Sequence, residues 1–92
     1  MRFEYDPAKS ASNKAKHGID FEEAQALWRD GARIETAART TNESRSIVTG
    51  RIQQTLWSAV ITYRGENETI VRIISVRRAH PHERARYAAD RG

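Results

Sequence analysis

The chain has 92 residues, 38% of them hydrophobic, and a net charge of +4, which supplies apolar side chains for one core rather than two and leads us to expect a single domain over residues 1–92. Cysteine is absent; this excludes a disulfide framework, a thiolate nucleophile and Cys-ligated zinc or iron–sulfur centres, and it suits a reducing cytoplasm. The opening Met1-Arg2-Phe3-Glu4-Tyr5-Asp6 has no apolar leader-like run and no later stretch approaches the roughly 20 apolar residues of a membrane span, so neither export nor insertion is expected.

Asp6-Pro7 reads as an N-cap and first helical position, because the carboxylate accepts from free backbone N–H groups and proline has none to leave unpaired. The helix should run to about His17, where Gly18 suits a left-handed cap and Lys14, Lys16 and His17 suit the negative end of the dipole. Asp20-Phe21-Glu22-Glu23 has the form of a capping box, and Phe21, Ala24, Leu27 and Trp28 recur at helical spacing until Asp30-Gly31 breaks the pattern. From Arg33 the period changes to two. Residues 45–52, 56–63 and 69–76 are read as three strands, with a shorter one over 33–36 and a polar loop over 37–42. The Arg64-Gly65-Glu66-Asn67-Glu68 segment and residues 51–55 are read as hairpin turns. The strand that contains Ile70-Val71-Arg72-Ile73-Ile74-Ser75-Val76-Arg77 is apolar on both faces and so belongs at the centre of the sheet. His80-Pro81-His82-Glu83 opens a last helix to about Asp90. The expected fold is α+β: two N-terminal helices, a three- to four-stranded antiparallel sheet and a C-terminal helix, with the helices on one sheet face.

The charge is unevenly placed. Residues 1–70 hold ten Lys/Arg and ten Asp/Glu, whereas residues 71–92 hold six Arg against Glu83 and Asp90. An arginine block of this kind suits phosphates, and it suits an acidic protein partner as well. No phosphate-cradling glycine loop, paired metal-ligand motif or nucleophile elbow is present, so the chemistry available is that of Arg, His, Glu and Tyr. Those groups are enough to cleave RNA, whose 2′-hydroxyl is an internal nucleophile once a base takes its proton and cations stabilise the phosphorane.

Arg72, Arg77 and Arg78 stand on or just after the last strand, with Arg72 and Arg78 sharing one parity and Arg77 the other. Glu43 and Arg45, two apart at a strand start, suit a general base and a phosphate clamp, or a plain surface ion pair. His17 suits acid–base work, and a helix end would equally account for it. Glu83 and Tyr87, one turn apart on the last helix, can face the strand arginines; Tyr87 suits base stacking or a place in the core. His80 and His82 flank a proline in a weak metal signal that is assigned mostly to solvation of a helix N-terminus, so no metal or other cofactor is expected. Trp28 and Trp57 are assigned to the core.

In combination these residues resemble a known family. Phe3-Glu4-Tyr5-Asp6-Pro7-Ala8-Lys9, Asn13, Lys16-His17-Gly18-Ile19 with Phe21-Glu22-Glu23-Ala24, Glu43 and Arg45, then Arg72-Ile73-Ile74-Ser75-Val76-Arg77-Arg78-Ala79 with Glu83-Arg84 and Tyr87, resemble the BrnT toxins over nearly the whole chain. Tyr5 stands where that family commonly has tryptophan and Val76 where it commonly has alanine, and residues 35–42 match poorly. The resemblance implies a RelE-like fold, a metal-independent endoribonuclease toxin of a type II toxin–antitoxin system that halts translation, and neutralisation by a BrnA-like antitoxin through which DNA is contacted only indirectly. On that reading the catalytic candidates are His17, Glu43, Arg45, Arg77 and Tyr87: Arg77 with Arg45 stabilises the phosphorane and Glu43 or His17 is the base. Lys14, Lys16, Arg72, Arg78 and Arg84 follow the RNA backbone. The alternative is a non-catalytic RNA- or protein-binding module that uses the same basic surface.

Overall fold

The computed structural model describes residues 1–38 and 44–91. Helix α1, Pro7–His17, begins where the Asp6 carboxylate accepts from the Ala8 N–H at 2.9 Å, and it ends at Gly18, whose φ of 83° is open to glycine and strained for a residue with a Cβ. The next helical segment, Glu23–Arg29, is a 3₁₀ helix rather than an α-helix. Its entry carries the reciprocal bonds of a capping box: Asp20 Oδ1 accepts from Glu23 N–H at 2.7 Å, and Glu23 Oε1 accepts from Asp20 N–H at 3.0 Å. The C-terminal helix α2, Pro81–Arg91, starts on proline as expected.

The sheet has five strands in the order β1-β5-β4-β3-β2, namely β1 (Arg2–Glu4), β2 (Ile34–Ala38), β3 (Arg45–Ile52), β4 (Thr55–Arg64) and β5 (Ile70–Arg78). The α+β class stands, but the sheet is mixed. Strand β1, unforeseen, pairs parallel with β5 through Arg2, Phe3 and Glu4 opposite Ile70, Val71 and Arg72. Three residues are too few to show a period of two, and this strand exists only because β5 offers it an edge. Strand β2 extends two residues into the expected loop; the rest of that loop, 39–42, lies outside the described residues. The central strand is β4 rather than β5.

Beyond β1 the edge of β5 is closed by a side chain. Asn13 on α1 donates to the Val76 carbonyl at 2.9 Å and accepts from the Val76 N–H at 3.2 Å, copying the pair of bonds a neighbouring strand would make, and it also donates to the Ile19 carbonyl at 2.8 Å. Ser10, one turn earlier, accepts from the Phe21 N–H. These bonds seat α1 against β5 and pin the chain that follows it.

A register shift between Val60 and Ile61 sets the faces of the sheet. Ile61 opposes Ile73 and Val60 opposes Ser75, so Ile74 is an extra residue in β5 and side-chain parity changes across it. Val71, Ile73 and Val76 therefore share the core face with Ala59, Ile61 and Val48, where they meet Ile19, Phe21, Ala24 and Leu27. Burying each of the larger of these side chains contributes roughly 1.5–3 kcal/mol. Trp28 and Trp57, expected in the core, lie partly buried at its margin, with Trp28 edge-on to Phe3 at 5.0 Å between ring centres. The opposite face carries Arg45, Ile47, Thr49, Ser58, Val60, Thr62, Arg72 and Arg77. Helix α1 and the 3₁₀ helix cover the first face. Helix α2 instead touches the second, through Glu83 on Ser58 and Arg77, so the helices do not share one side.

Replacing Asn13 by alanine leaves two backbone groups of Val76 and the Ile19 carbonyl without these partners. The expected loss is about 3 kcal/mol in urea unfolding at unchanged m-value; a loss below about 1 kcal/mol would show that the edge closure is incidental.

Candidate active site

The register shift revises the parity expected of the arginines. Arg72 opposes Thr62 and Arg77 opposes Ser58, two positions of equal parity on β4, so Arg72 and Arg77 share a face; Arg78, opposite Trp57, points to the other. Arg45 belongs with the first two, because the same pairing carries it to the row of Thr62 and Arg72. Two parallel rows result. Arg45, Thr62 and Arg72 form one, and Thr49, Ser58 and Arg77 form the other, roughly 13 Å further along the strands. The structure thus brings Arg45 and Arg72 together more closely than Arg45 and Arg77. Glu43 lies outside the described residues.

Each row is wired to a carboxylate. Arg72 holds Glu4 at 2.7 Å, and Glu4 also lies 3.3 Å from Arg64 Nε. Arg77 grips Glu83 with both terminal nitrogens, at 2.8 and 3.0 Å. Glu83 Oε1 further accepts from Ser58 Oγ and from the His80 N–H, each at 2.8 Å, and Ser58 in turn shares a 2.7 Å hydrogen bond with Thr49. The last of the Glu83 bonds is half of a capping box, since Glu83 occupies the third position of α2 and reaches back to the residue before Pro81. Burial of the Glu83 side chain, 7% exposed, opposes its charge, but Arg77, the His80 N–H and Ser58 outweigh that cost and lower its pKa to about 2. A carboxylate so held is a weak base and a strong anchor.

Tyr87 is buried at 3% exposure and donates to Asp30 Oδ2 at 2.7 Å, which removes its ring from the surface where a base could stack. Asp30 Oδ2 also accepts from the Arg51 N–H, and its Oδ1 from the Ala32 N–H, at 2.8 Å each. Burial raises the Asp30 pKa, yet the bonds from the Arg51 N–H, Tyr87 and the Ala32 N–H prevail and lower it. Asp30 so ties the exit of the 3₁₀ helix, β3 and α2 to one another.

The remaining candidates lie away from the Arg45–Arg72 row. Lys14 is engaged by Glu23 at 2.8 Å. Lys16 and His17 are exposed at the end of α1, one turn beyond Asn13, and Gly18 next to them lines a small cavity with Thr55 and Trp57. Arg78 and Arg84 line a second pocket, together with Arg51, which the sequence reading passed over as part of a turn.

His80, His82 and Glu83, the last adjacent to His82 in the chain, bring ligand atoms within 4.8 Å of one another. The fit to a cation is poor. Both Glu83 oxygens already accept hydrogen bonds and the Arg77 guanidinium stands against the carboxylate, so an ion there would face a fixed positive charge.

Compared with known families, residues 5–83 match the model of the ribonuclease toxin, BrnT, of type II toxin–antitoxin systems. The chain belongs to the BrnT family. The match takes in both rows of the open face and ends at Glu83, the carboxylate that fastens the second row. The BrnT description implies an RNA substrate and an antitoxin partner. A search of curated proteins returned no match. Among the described residues no helix is long and apolar enough to cross a membrane.

Because the folded pKa of Glu83 lies below its ordinary 4.5, its contribution is fully present above that value and is lost as pH falls towards about 2. Denaturant titrations from pH 6 downwards should show wild type losing on the order of 3 kcal/mol from this group. The Glu83→Gln variant, already destabilised at neutral pH, should show a visibly shallower acid slope. Parallel slopes for the two proteins would remove Glu83 as the source.

Proposed function

We propose that the chain is a metal-independent endoribonuclease toxin that works on the sheet face opposite α1, cutting RNA so that translation stops. The observation that supports this best is the extra residue at Ile74, which turns Arg72 and Arg77 to the same side as Arg45 and away from the core. Guanidinium groups rooted in β3 and β5, on either side of β4, are held at fixed separations and can receive the charge that develops on a phosphorane without a metal ion.

In the proposed reaction the 2′-oxygen of one ribose attacks the adjacent phosphorus as its proton passes to a base. The bond to the next 5′-oxygen breaks, and that oxygen takes a proton, leaving a 2′,3′-cyclic phosphate and a 5′-hydroxyl. Arg45 and Arg72, flanking Thr62, bracket the phosphate. Arg77, roughly 13 Å further along the face, offers a guanidinium whose position Glu83 sets. Glu43, two residues before Arg45 in the chain, is the proposed base in preference to His17, which the fold carries to the opposite end of α1. Tyr87, buried against Asp30, acts by seating α2 rather than by touching RNA. The chain acts as one cytoplasmic domain, and a BrnA-like antitoxin silences it by covering the basic surface with an acidic or amphipathic segment.

The non-catalytic alternative has one observation in its favour: Arg72 and Arg77 already have carboxylate partners in Glu4 and Glu83. Incubating the purified, antitoxin-free chain with RNA in EDTA separates the two. Wild type should yield cyclic phosphate ends, and Arg45→Ala should lower kcat/KM about 10²–10³-fold at unchanged melting temperature. Intact RNA under all conditions, with binding retained, would establish the binding module instead, and full activity of Arg45→Ala would overturn the assignment of the face.

A further inference from the structure

Beyond the proposed cleavage site the sheet ends in a second basic feature. The pocket lined by Arg51, Arg78 and Arg84, with Gln54, Thr55, Leu56 and Ala79, has a volume of about 250 Å³ and no acidic residue in its wall. Its three arginines come from three elements: the end of β3, the end of β5 and the first turns of α2. The Ala79 N–H donates to the Leu56 carbonyl at 3.0 Å, which staples the link between β5 and α2 to β4 and holds these elements in register around the pocket.

The arginines here differ from those on the open face. Arg72 and Arg77 are each paired with a carboxylate in direct contact, whereas among the described residues none lies within 4 Å of the guanidinium of Arg51, Arg78 or Arg84; Asp30, which accepts from the Arg51 backbone N–H, interacts with the Arg51 charge from further away. Two of the three are steadied by rings instead: Arg78 lies over Trp57 at 5.7 Å from its centre, and Arg51 over Tyr87 at 5.9 Å. Such stacking orients a guanidinium and leaves its charge intact. Three arginines without a carboxylate in salt-bridge contact make the empty pocket electropositive and favour an anion entering it.

We infer that this pocket holds a backbone phosphate of the RNA, separate from the phosphate that is cleaved. A side-chain carboxylate is planar and is satisfied by one bidentate arginine, while three arginines from three elements, with the hydroxyl and amide of Thr55 and Gln54 beside them, suit the tetrahedral array of phosphate oxygens. The pocket belongs to the row of Arg51 and Leu56, six residues along β3 from Arg45, which is roughly 20 Å in an extended strand. An RNA that reached both sites would be held at two points with α2 between them. The pocket therefore governs how tightly RNA binds and leaves the chemical step to the open face.

This inference rests on RNA being the ligand of the proposed face, and its test does not require cleavage. Binding of a 2′-O-methyl oligoribonucleotide, which lacks the attacking hydroxyl, is measured against salt for the full chain and for Arg51→Ala, Arg78→Ala and Arg84→Ala, with Arg86→Ala on the same helix but outside the pocket as the control. Each pocket variant should weaken binding about tenfold and lower the slope of log K against log salt by about 0.7, at unchanged melting temperature. The control should do neither. With cleavable RNA the same variants should raise KM and spare kcat. Pocket variants indistinguishable from Arg86→Ala would overturn the inference, as would unchanged RNA binding combined with a weakened antitoxin complex, which would make the pocket a protein-docking site. Loss of cleavage in wild type with the binding pattern intact would strike the proposed reaction and not the pocket.

Discussion

The extra residue at Ile74 is the constraint from which the division of labour in this sheet follows. Strand parity is a strict alternation, so a strand that must bury Val71 and Ile73 early and Val76 late cannot do so without one inserted position. The insertion satisfies the core, and in the same step it turns Arg77 out to the face of Arg45 and Arg72. Packing and charge placement are two results of one backbone irregularity. An unbroken strand that buried Val71 and Ile73 would expose Val76 and bury Arg77 beside it.

Glu83 then converts that face into something with a fixed shape. Its carboxylate gathers Arg77, Ser58 and the His80 N–H, so the helix that follows β5 is anchored by ionic and hydrogen bonds rather than by a broad apolar seam. Asp30 and Tyr87 provide a second fastening one turn later. A helix held this way depends on the ionisation of two carboxylates, and acid should release it before it disturbs the apolar core on the other side of the sheet.

The parts legible in the sequence are those whose cause is local. Asp6-Pro7, Gly18 and the Asp20/Glu23 pair mark helix boundaries through bonds that span a few residues, and the structure shows those bonds. The family was legible too, because motifs spread along the whole chain had to agree. What sequence could not show depends on distant partners. Strand β1 is defined only by β5. Trp57 lies at the rim beneath Arg78, and Arg51 reads as a turn residue until α2 and the end of β5 arrive beside it. The bulge was invisible because no glycine or proline marks it, although the spacing of Val71, Ile73 and Val76 is a trace of it. Glu83 and Tyr87 were correctly placed on one helical face, but their neighbours were not all foreseen: Arg77 was, Asp30 was not.

Asn13 bears on how this sheet meets other chains. A strand edge with free N–H and C=O groups is a template on which another extended chain can assemble, whether a partner or a misfolded copy. At Val76 the Asn13 carboxamide already occupies both groups, and the parallel β1 occupies the edge before it. Growth of the sheet by a foreign strand is thereby steered away from β5 at Val76 and towards the outer edges of β1 and β2. A single side chain in the first helix thus acts as a stopper against strand addition at this stretch of β5.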